Sequence, residues 1–498
     1  MWFRQSKTPE KEGFLRAASP NERRCIGRES LGFYRSLVVG GIYQFVEPVQ
    51  VASISTYIHA LRYCVRRHPQ LCCTVADADT KSPYYKTCAR MDLSQHVQIL
   101  QHCDGGDGGA AGIQSVESAL RAILDSRGPS SIPAWKITVV PFSQQSCFVG
   151  FSFAHSIGDG LSGLIFHRTF LEALQDPIVE EDLIWAPKLR QLDPPFDTPT
   201  NLPISWSFLL RPLLGSMLPA RIASLIGVGE KESSHTSWTA SKTFYNPETH
   251  LTGLKTLSID GPVVQEALKT CRKHRGKLTG LLHQLIINAL SESLAQYEGG
   301  RDTTLDTLVT RTALNMRGCV DKSNEDDMGN FVTATTRNHA IKKVSGSNPC
   351  FEIDWASVRS DSAQLAAAAK ELRDQPLGLL RYVSDVRGWV LSQLGRRRDC
   401  SYEISNLLAF QPSGPGRPTK RSAAVTEMVF CQPADALGPL LYFNVVSVAD
   451  GPLTLTVTWQ TGALALDSGH EEEEEAAFVE MVCRSIESGF TRVSGSPP

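Results

Sequence analysis

The run Phe148-Val149-Gly150-Phe151-Ser152-Phe153-Ala154 is almost unbroken in apolar character, which predicts a buried strand. An apolar helix is expected directly after it, from Leu161 to Leu174. Upstream, Leu37 to Phe45 is rich in β-branched and aromatic residues and reads as another strand. Val51, Ile54, Tyr57, Ile58, Leu61 and Val65 recur at helical spacing until Pro69, after which Leu71 to Val75 reads as a strand. A helix from Ser115 to Leu124 and a strand from Ala134 to Val140 complete the first half. The second half repeats the plan. It has a strand near Leu254 to Ile259, a helix from Val263 to Cys271 and a long helix from Gly280 to Tyr297. A strand from Leu305 to Leu314 and one after Met328 follow, then helical stretches at Asp354 to Arg373 and Pro376 to Leu394. Tyr402 to Leu407, Glu427 to Cys431, Leu440 to Val448 and Leu453 to Trp459 read as sheet strands. The fold class is therefore α/β, in two similar halves.

Residues 176–240 break this periodicity. Ala186-Pro187, Asp193-Pro194-Pro195 and Asp197-Thr198-Pro199 suit a crossover between domains. The expected division is 1–190, a linker at 191–240, and 241–498; a chain of 498 residues is too long for one core. Within the linker, Leu202 to Gly227 is unusually apolar, with only Arg211 and Arg221 charged. It could lie on a membrane or lipid droplet, or pack over the joint between domains. Pro203, Pro212 and Pro219 interrupt any long interfacial helix and favour the second reading.

A net charge of −2 gives no footing for nucleic acid. The polar start, MWFRQSKTPEKEGF, lacks the apolar core of a signal peptide, and no apolar window is long enough to span a membrane. Thirteen cysteines without CxxC pairs fit a reducing compartment and neither a disulfide framework nor a metal site. Cys72-Cys73 reads as packing. The glycine-rich stretch Asp104 to Gly112 lacks the ending of a phosphate loop and reads as a surface loop. The acidic run Glu471 to Glu475 suggests a helix start without an evident partner, and Ser494 to Pro498 a disordered tail.

The chemistry lies after the first strand named above. His155 stands at its end, and His155-Ser-Ile-Gly-Asp159-Gly160 spells HxxxDG. A histidine on a rigid strand end, with a pKa near neutrality, is suited to take a proton from a hydroxyl. Asp159 could instead cap the helix, and Ser156 reads as a turn residue. His68 reads as a satisfied helix-end residue.

In this context HxxxDG resembles the CoA-dependent acyltransferase superfamily of chloramphenicol acetyltransferase, plant BAHD enzymes, peptide-synthetase condensation domains and fungal alcohol acetyltransferases. The opening Pro20-x-Glu22-Arg23 followed by Leu31-Gly-Phe-Tyr34 is similar to the fungal branch, and Asn315-x-Arg317, Gly329-Asn330 and Ser405-Asn406 follow in the superfamily's order. BAHD enzymes carry Asp-Phe-Gly-Trp-Gly near the carboxyl end; here Ala434-Asp435-Ala436-Leu437-Gly438 stands there, which argues against the plant branch.

The resemblance implies two chloramphenicol-acetyltransferase-like domains with a channel between them. It implies acyl transfer from acetyl-CoA, or another acyl-CoA, to an alcohol, with no bound cofactor or metal. It gives His155 the role of general base and Asp159 that of a loop anchor held by an arginine. Arg67, in Arg66-Arg67-His68-Pro69, is the expected partner of Asp159; Arg317 is a further supporting residue. Gly160 allows close backbone approach, and Ser405 or Asn406 is the expected oxyanion donor. The expected partners are an acyl-CoA and a small-molecule alcohol, for a monomer in the cytoplasm with peripheral endomembrane contact as an option. Two other readings stand beside it: a carrier-dependent condensation enzyme, though Ala154 replaces the first histidine of that branch's motif, and a non-catalytic lipid- or partner-binding module.

Overall fold

The computed structural model describes residues 13–100, 112–127, 131–175, 182–188, 190–210, 236–297, 305–320, 325–343, 352–412, 423–466 and 471–495. Most of the glycine-rich loop and most of the apolar stretch 202–227 lie outside them. In the first half the order is β1 (Phe14–Ala17), α1 (Pro20–Ser30), β2 (Ser36–Phe45), α2 (Ser55–Arg67), β3 (Cys73–Ala76), β4 (Tyr84–Thr87), β5 (Met91–Asp92), β6 (Val97–Ile99), α3 (Glu117–Asp125), β7 (Trp135–Pro141), β8 (Ser146–Ala154), α4 (Gly160–Ala173) and β9 (Ile184–Trp185). The second half runs β10 (Thr252–Ile259), α5 (Gly261–Lys273), α6 (Leu278–Tyr297), β11 (Thr307–Asn315), β12 (Val332–Ala340), α7 (Trp355–Ala368), α8 (Val386–Leu391), β13 (Tyr402–Phe410), β14 (Ala423–Cys431), β15 (Leu441–Val448), β16 (Leu453–Gln460) and α9 (Glu471–Ser494). The expected Leu71–Val75 strand begins later, because Pro69 first opens a 3-10 turn, Pro69–Cys72.

Two sheets carry the molecule. One has the order β14-β2-β8-β7-β6, the other β10-β16-β15-β13-β11-β12. A division at 190 and 241 does not describe them, since β14, from the second half, pairs antiparallel with β2 of the first. Nothing in the local pattern of β14 marks which sheet it joins; the fold hands it across. Strand β8 is central in its sheet, between β2 and β7, so its long apolar run is buried on both faces. Its Phe151 and Phe153 stack with one another, and Phe151 stacks on Phe166 of α4. That packing fixes the strand end from which His155 departs.

In β16, Leu453, Leu455, Val457 and Trp459 join the core of the second half beneath α6 and α9. The alternate residues Thr454, Thr456 and Thr458 are buried too. They lie on the face towards the other sheet, where Thr456 Oγ1 donates to the Phe430 carbonyl of β14 at 2.6 Å. The polar face of this alternating strand meets protein and not water. The acidic run also acquires a partner. Glu475 is fully buried and accepts from Trp459 Nε1 at 2.9 Å and from the N–H groups of Gly462 and Leu464 at 2.9 and 2.7 Å.

The described start of the apolar stretch divides. Leu202 is buried with Phe196, Leu314, Met316 and Phe331, whereas Trp206 is 78% exposed. No helix among the described residues is long and apolar enough to cross a membrane. The eleven described cysteines are free thiols. Cys72 and Cys73 are buried, and burial raises the Cys72 thiol to about 11, as packing residues require.

Candidate active site

His155 follows the last residue of β8 in a three-residue turn before Gly158. Three elements hold this turn. Asn330 Nδ2, from the β11–β12 connection, donates to the His155 carbonyl at 2.5 Å. Tyr85 of β4 donates to the Ser156 carbonyl at 2.6 Å. Ser156 Oγ donates to Glu29 of α1 at 3.2 Å. Ser156 is therefore a turn residue. Burial raises the Glu29 carboxyl to about 7 against the opposing bond from Ser156. A small cleft opens against Ser156 and Ile157, walled by Tyr85, Pro195, Asn330 and Phe331.

The imidazole is desolvated. Burial, with the charges of Arg24 and Arg28, lowers the His155 pKa to about 4 against the opposing charge of Asp159. It is accordingly neutral at pH 7. A bond between the ring and the residue's own backbone also opposes the burial. The aromatic ring beside it is that of Tyr34, with centroids 5.8 Å apart and planes tilted by 43°.

Asp159 turns to other work. It caps α4, with Oδ1 accepting from Ser162 N at 3.0 Å, while Oδ2 accepts from Phe331 N at 3.0 Å. Arg317 binds it in bidentate fashion, Nη1 to Oδ2 at 2.8 Å and Nη2 to Oδ1 at 2.9 Å. Arg317 also reaches the carbonyls of Asp327 and Gly329, and its guanidinium lies 4.8 Å from the centre of the Phe331 ring. Burial would raise the Asp159 pKa; Arg317 and the N–H donors of Phe331 and Ser162 outweigh it and hold the carboxyl below its ordinary value. Gly329 has φ +150°, a conformation that favours glycine. The pair thus ties the histidine turn to the connection between β11 and β12.

Arg67, the expected partner, is not there. It ends α2 as an exposed side chain, and the chain turns away at His68, which is buried against Thr169. The arginine that meets Asp159 lies 158 positions along the chain, just after β11. At Gly160 a Cβ would lie 2.7 Å from Leu407 Cδ2 and 3.0 Å from the Phe430 ring.

Ser405 and Asn406, adjacent on β13, face opposite ways. Asn406 Nδ2 donates to Thr279 of α6 at 3.2 Å, and its Oδ1 accepts from Leu408 N at 2.8 Å, so its amide is engaged in structure. Ser405 faces the first sheet, where Gln432 Nε2 donates to its Oγ at 3.3 Å. Gln432 also donates to Asn444 at 3.0 Å and accepts from the Tyr34 hydroxyl at 2.8 Å. A buried polar chain therefore runs from β13 and β15 to the ring beside His155. Gln432 carries no distinguishing mark in the residue pattern around it. Tyr34 and Asn330 stand inside the motifs Leu-Gly-Phe-Tyr and Gly-Asn, which carried the resemblance without assigning them work. Among the described residues there is no cluster that could hold a metal ion.

The alcohol acetyltransferase family matches residues 106–483 of this chain. The probable alcohol acetyltransferase crmB of Aspergillus fumigatus is 21% identical over 451 residues, spanning 87% of this chain and 92% of its own. The probable alcohol acetyltransferase FCK4 of Fusarium pseudograminearum is 22% identical over 488 residues, spanning 91% and 92%. Among solved structures, the trichothecene 15-O-acetyltransferase TRI3 of Fusarium sporotrichioides superposes with a TM-score of 0.64 at 12% identity, covering 94% of each chain. The condensation domain of the monacolin K polyketide synthase MokA gives 0.53 at 12% identity, covering 97% of this chain and 98% of its own. These two likenesses show the two-lobed acyltransferase fold. By the family match across most of its length, the chain belongs to the alcohol acetyltransferase family, and it is an acyltransferase.

Proposed function

We propose that this protein esterifies an alcohol with the acyl group of acyl-CoA, acetyl-CoA first, using His155 as general base. The observation that carries the reading is the neutral, desolvated imidazole, fixed at the end of a central strand where the two halves meet. The alcohol O–H proton passes to the imidazole as the oxygen attacks the thioester carbonyl. The resulting tetrahedral oxyanion collapses, the C–S bond breaks, and the imidazolium returns the proton to the CoA thiolate. No acyl-enzyme is needed, because the thioester is already activated and both substrates are held together. Ser405 is the better candidate for the oxyanion donor, since the Asn406 amide is occupied elsewhere. Asp159 anchors the turn and takes no proton. The proposed setting is a reducing cytoplasm, with the enzyme acting as a monomer. Exposed Trp206 is the described residue that favours peripheral contact with a membrane.

The test is a mass-spectrometric ester screen of the intact protein and its His155→Ala variant, with acetyl-CoA and a panel of alcohols and amines. An acetyl ester formed by the intact protein, and about 10²- to 10⁴-fold more slowly by the variant, supports the reading. An unchanged rate in the variant sinks His155 as base. An amide product moves the reaction to N-acylation.

A further inference from the structure

We infer that the acceptor alcohol also carries a carboxylate, which Arg24 holds beside His155. The inference rests on the reading of His155 as the base and deepens it by naming the acceptor as a hydroxy acid. The acetyl group still goes to the hydroxyl oxygen, and the carboxylate serves only to hold the molecule in place.

Helix α1 lies along the histidine turn. Its Glu29 accepts from the hydroxyl of Ser156, the residue after His155, at 3.2 Å. Its Arg28 lies 4.3 Å from the centre of the Tyr34 ring, and that ring stands 5.8 Å from the imidazole. Arg24 is one helical turn before Arg28, so the two side chains leave the same face of α1. Both charges act on the imidazole, that of Arg24 the more strongly. The two cations differ in what neutralises them. Arg28 is paired with Asp435. Arg24 donates from Nε and Nη2 to one neutral oxygen, Asn21 Oδ1, at 3.1 and 3.0 Å, and pairs with no carboxylate among the described residues.

An unneutralised cation beside a base that must gain a proton works against the reaction unless an anion joins it. Three kinds of anion come near in this chemistry. The phosphates of CoA are held away by the pantetheine arm while the thioester is at His155. The oxyanion has its donor in Ser405, which comes from β13 and not from α1. An anion on the acceptor is left, and a guanidinium is the group best shaped to take a carboxylate. The surface between the two sheets agrees with an oxygen-rich acceptor. Glu403 and Ser405 share one face of β13, and Tyr442 and Asn444 stand opposite them on β15. An aliphatic alcohol would strip water from such groups without replacing its hydrogen bonds.

The test gives the enzyme acetyl-CoA with 3-hydroxybutanoate, mandelate or 12-hydroxydodecanoate, each beside its methyl ester, and reads acetyl-ester formation. In the parent, kcat/KM for the acid should exceed that for its methyl ester by about tenfold to a hundredfold in the best pair. Arg24→Gln should abolish that advantage through the KM of the acid, while kcat for the methyl esters and KM for acetyl-CoA stay within about threefold. Arg24→Lys keeps the charge without the fork, and should lose only about threefold to tenfold on the acid. Should Arg24→Gln fail to fold, the lysine variant makes the same comparison. Arg23→Gln is the control: that side chain points about 100° away around α1, onto the Ala18 carbonyl, and should leave the preference intact. The inference is overturned if no acid outruns its ester in the parent. It is equally overturned if Arg24→Gln slows acid and ester alike, for the cation then serves the oxyanion or the fold, or if Arg23→Gln erases the preference as well. A His155→Ala variant that keeps full activity on acids and esters fails the underlying reading instead, which separates the two.

Discussion

Replacing Asp159 with asparagine should show first in the stability of this protein and only then in its chemistry. The carboxylate accepts from both Arg317 nitrogens and from the N–H groups of Ser162 and Phe331, at 2.8–3.0 Å. Arg317 is 1% exposed and Asp159 is 4% exposed. Asparagine keeps the shape but removes the charge, and leaves the guanidinium buried without a counter-ion. Losing one partner of a buried pair costs about 3–5 kcal/mol, a large part of a stability of about 5–15 kcal/mol. At about 2.1 cal/mol/K per residue, 498 residues give an unfolding entropy of about 1 kcal/mol/K, so the melting temperature should fall by about 3–5 °C.

Calorimetry of the parent, Asp159→Asn, Arg317→Leu and the double variant Asp159→Leu/Arg317→Leu would measure this. The double variant should lose less than the sum of its singles, because it strands no charge. The pH dependence has a definite sign. The Asp159 pKa is held below its unfolded value, so its contribution is present at neutral pH and is lost as the pH falls through the folded value. The gap between parent and Asp159→Asn should therefore narrow in acid. The reasoning fails if Asp159→Asn melts with the parent and yet loses about 10⁴ in kcat, for that is the signature of a carboxylate orienting the imidazole.

Two further outcomes follow from the same geometry. Burial lowers His68 and His283 to about 3, and His155 and His167 to about 4, against an ordinary value near 6.5; the unfolded chain then binds more protons, so stability should fall as pH drops from about 6.5 towards 4, read as a falling urea midpoint. A flat midpoint between pH 7 and 5 would refute it. Gly160→Ala drives a methyl into Leu407 and the Phe430 ring, and should cost about 1–3 kcal/mol in urea unfolding; a neutral result would mean that β13 and β14 yield there.

What could be read beforehand was what is local. His155, Asp159 and the turn between them occupy one short segment, and the strand before them is apolar for a local reason: it is central in its sheet. Period and punctuation also placed α6, β13, β15 and β16 closely. What escaped was every partnership across the chain. Both Arg67 and Arg317 stand next to recognisable motifs, and only the return of the chain after β11 decides between them. Tyr34 and Gln432 are 398 positions apart. Glu475 is one acid in a run of five, and its three donors, from Trp459 of β16 and from Gly462 and Leu464 in the loop after it, cannot be inferred from the run itself.

These long-range contacts share a location, and the location has a consequence. Arg317 on Asp159, Asn330 on the His155 carbonyl and Gln432 on Tyr34 all cross from the second half to the first. So does β14, which pairs with β2 along its length. The contacts are buried and polar, with partners for the principal groups. A small slide of one half over the other would strand several of them at once, each at about 1–3 kcal/mol. An apolar joint of the same area would tolerate such a slide, since its attraction has no direction. The polar joint therefore holds a single register between the halves, and the histidine inherits that register through its turn and its neighbouring ring. The base is thus held in place by the assembly of the whole fold.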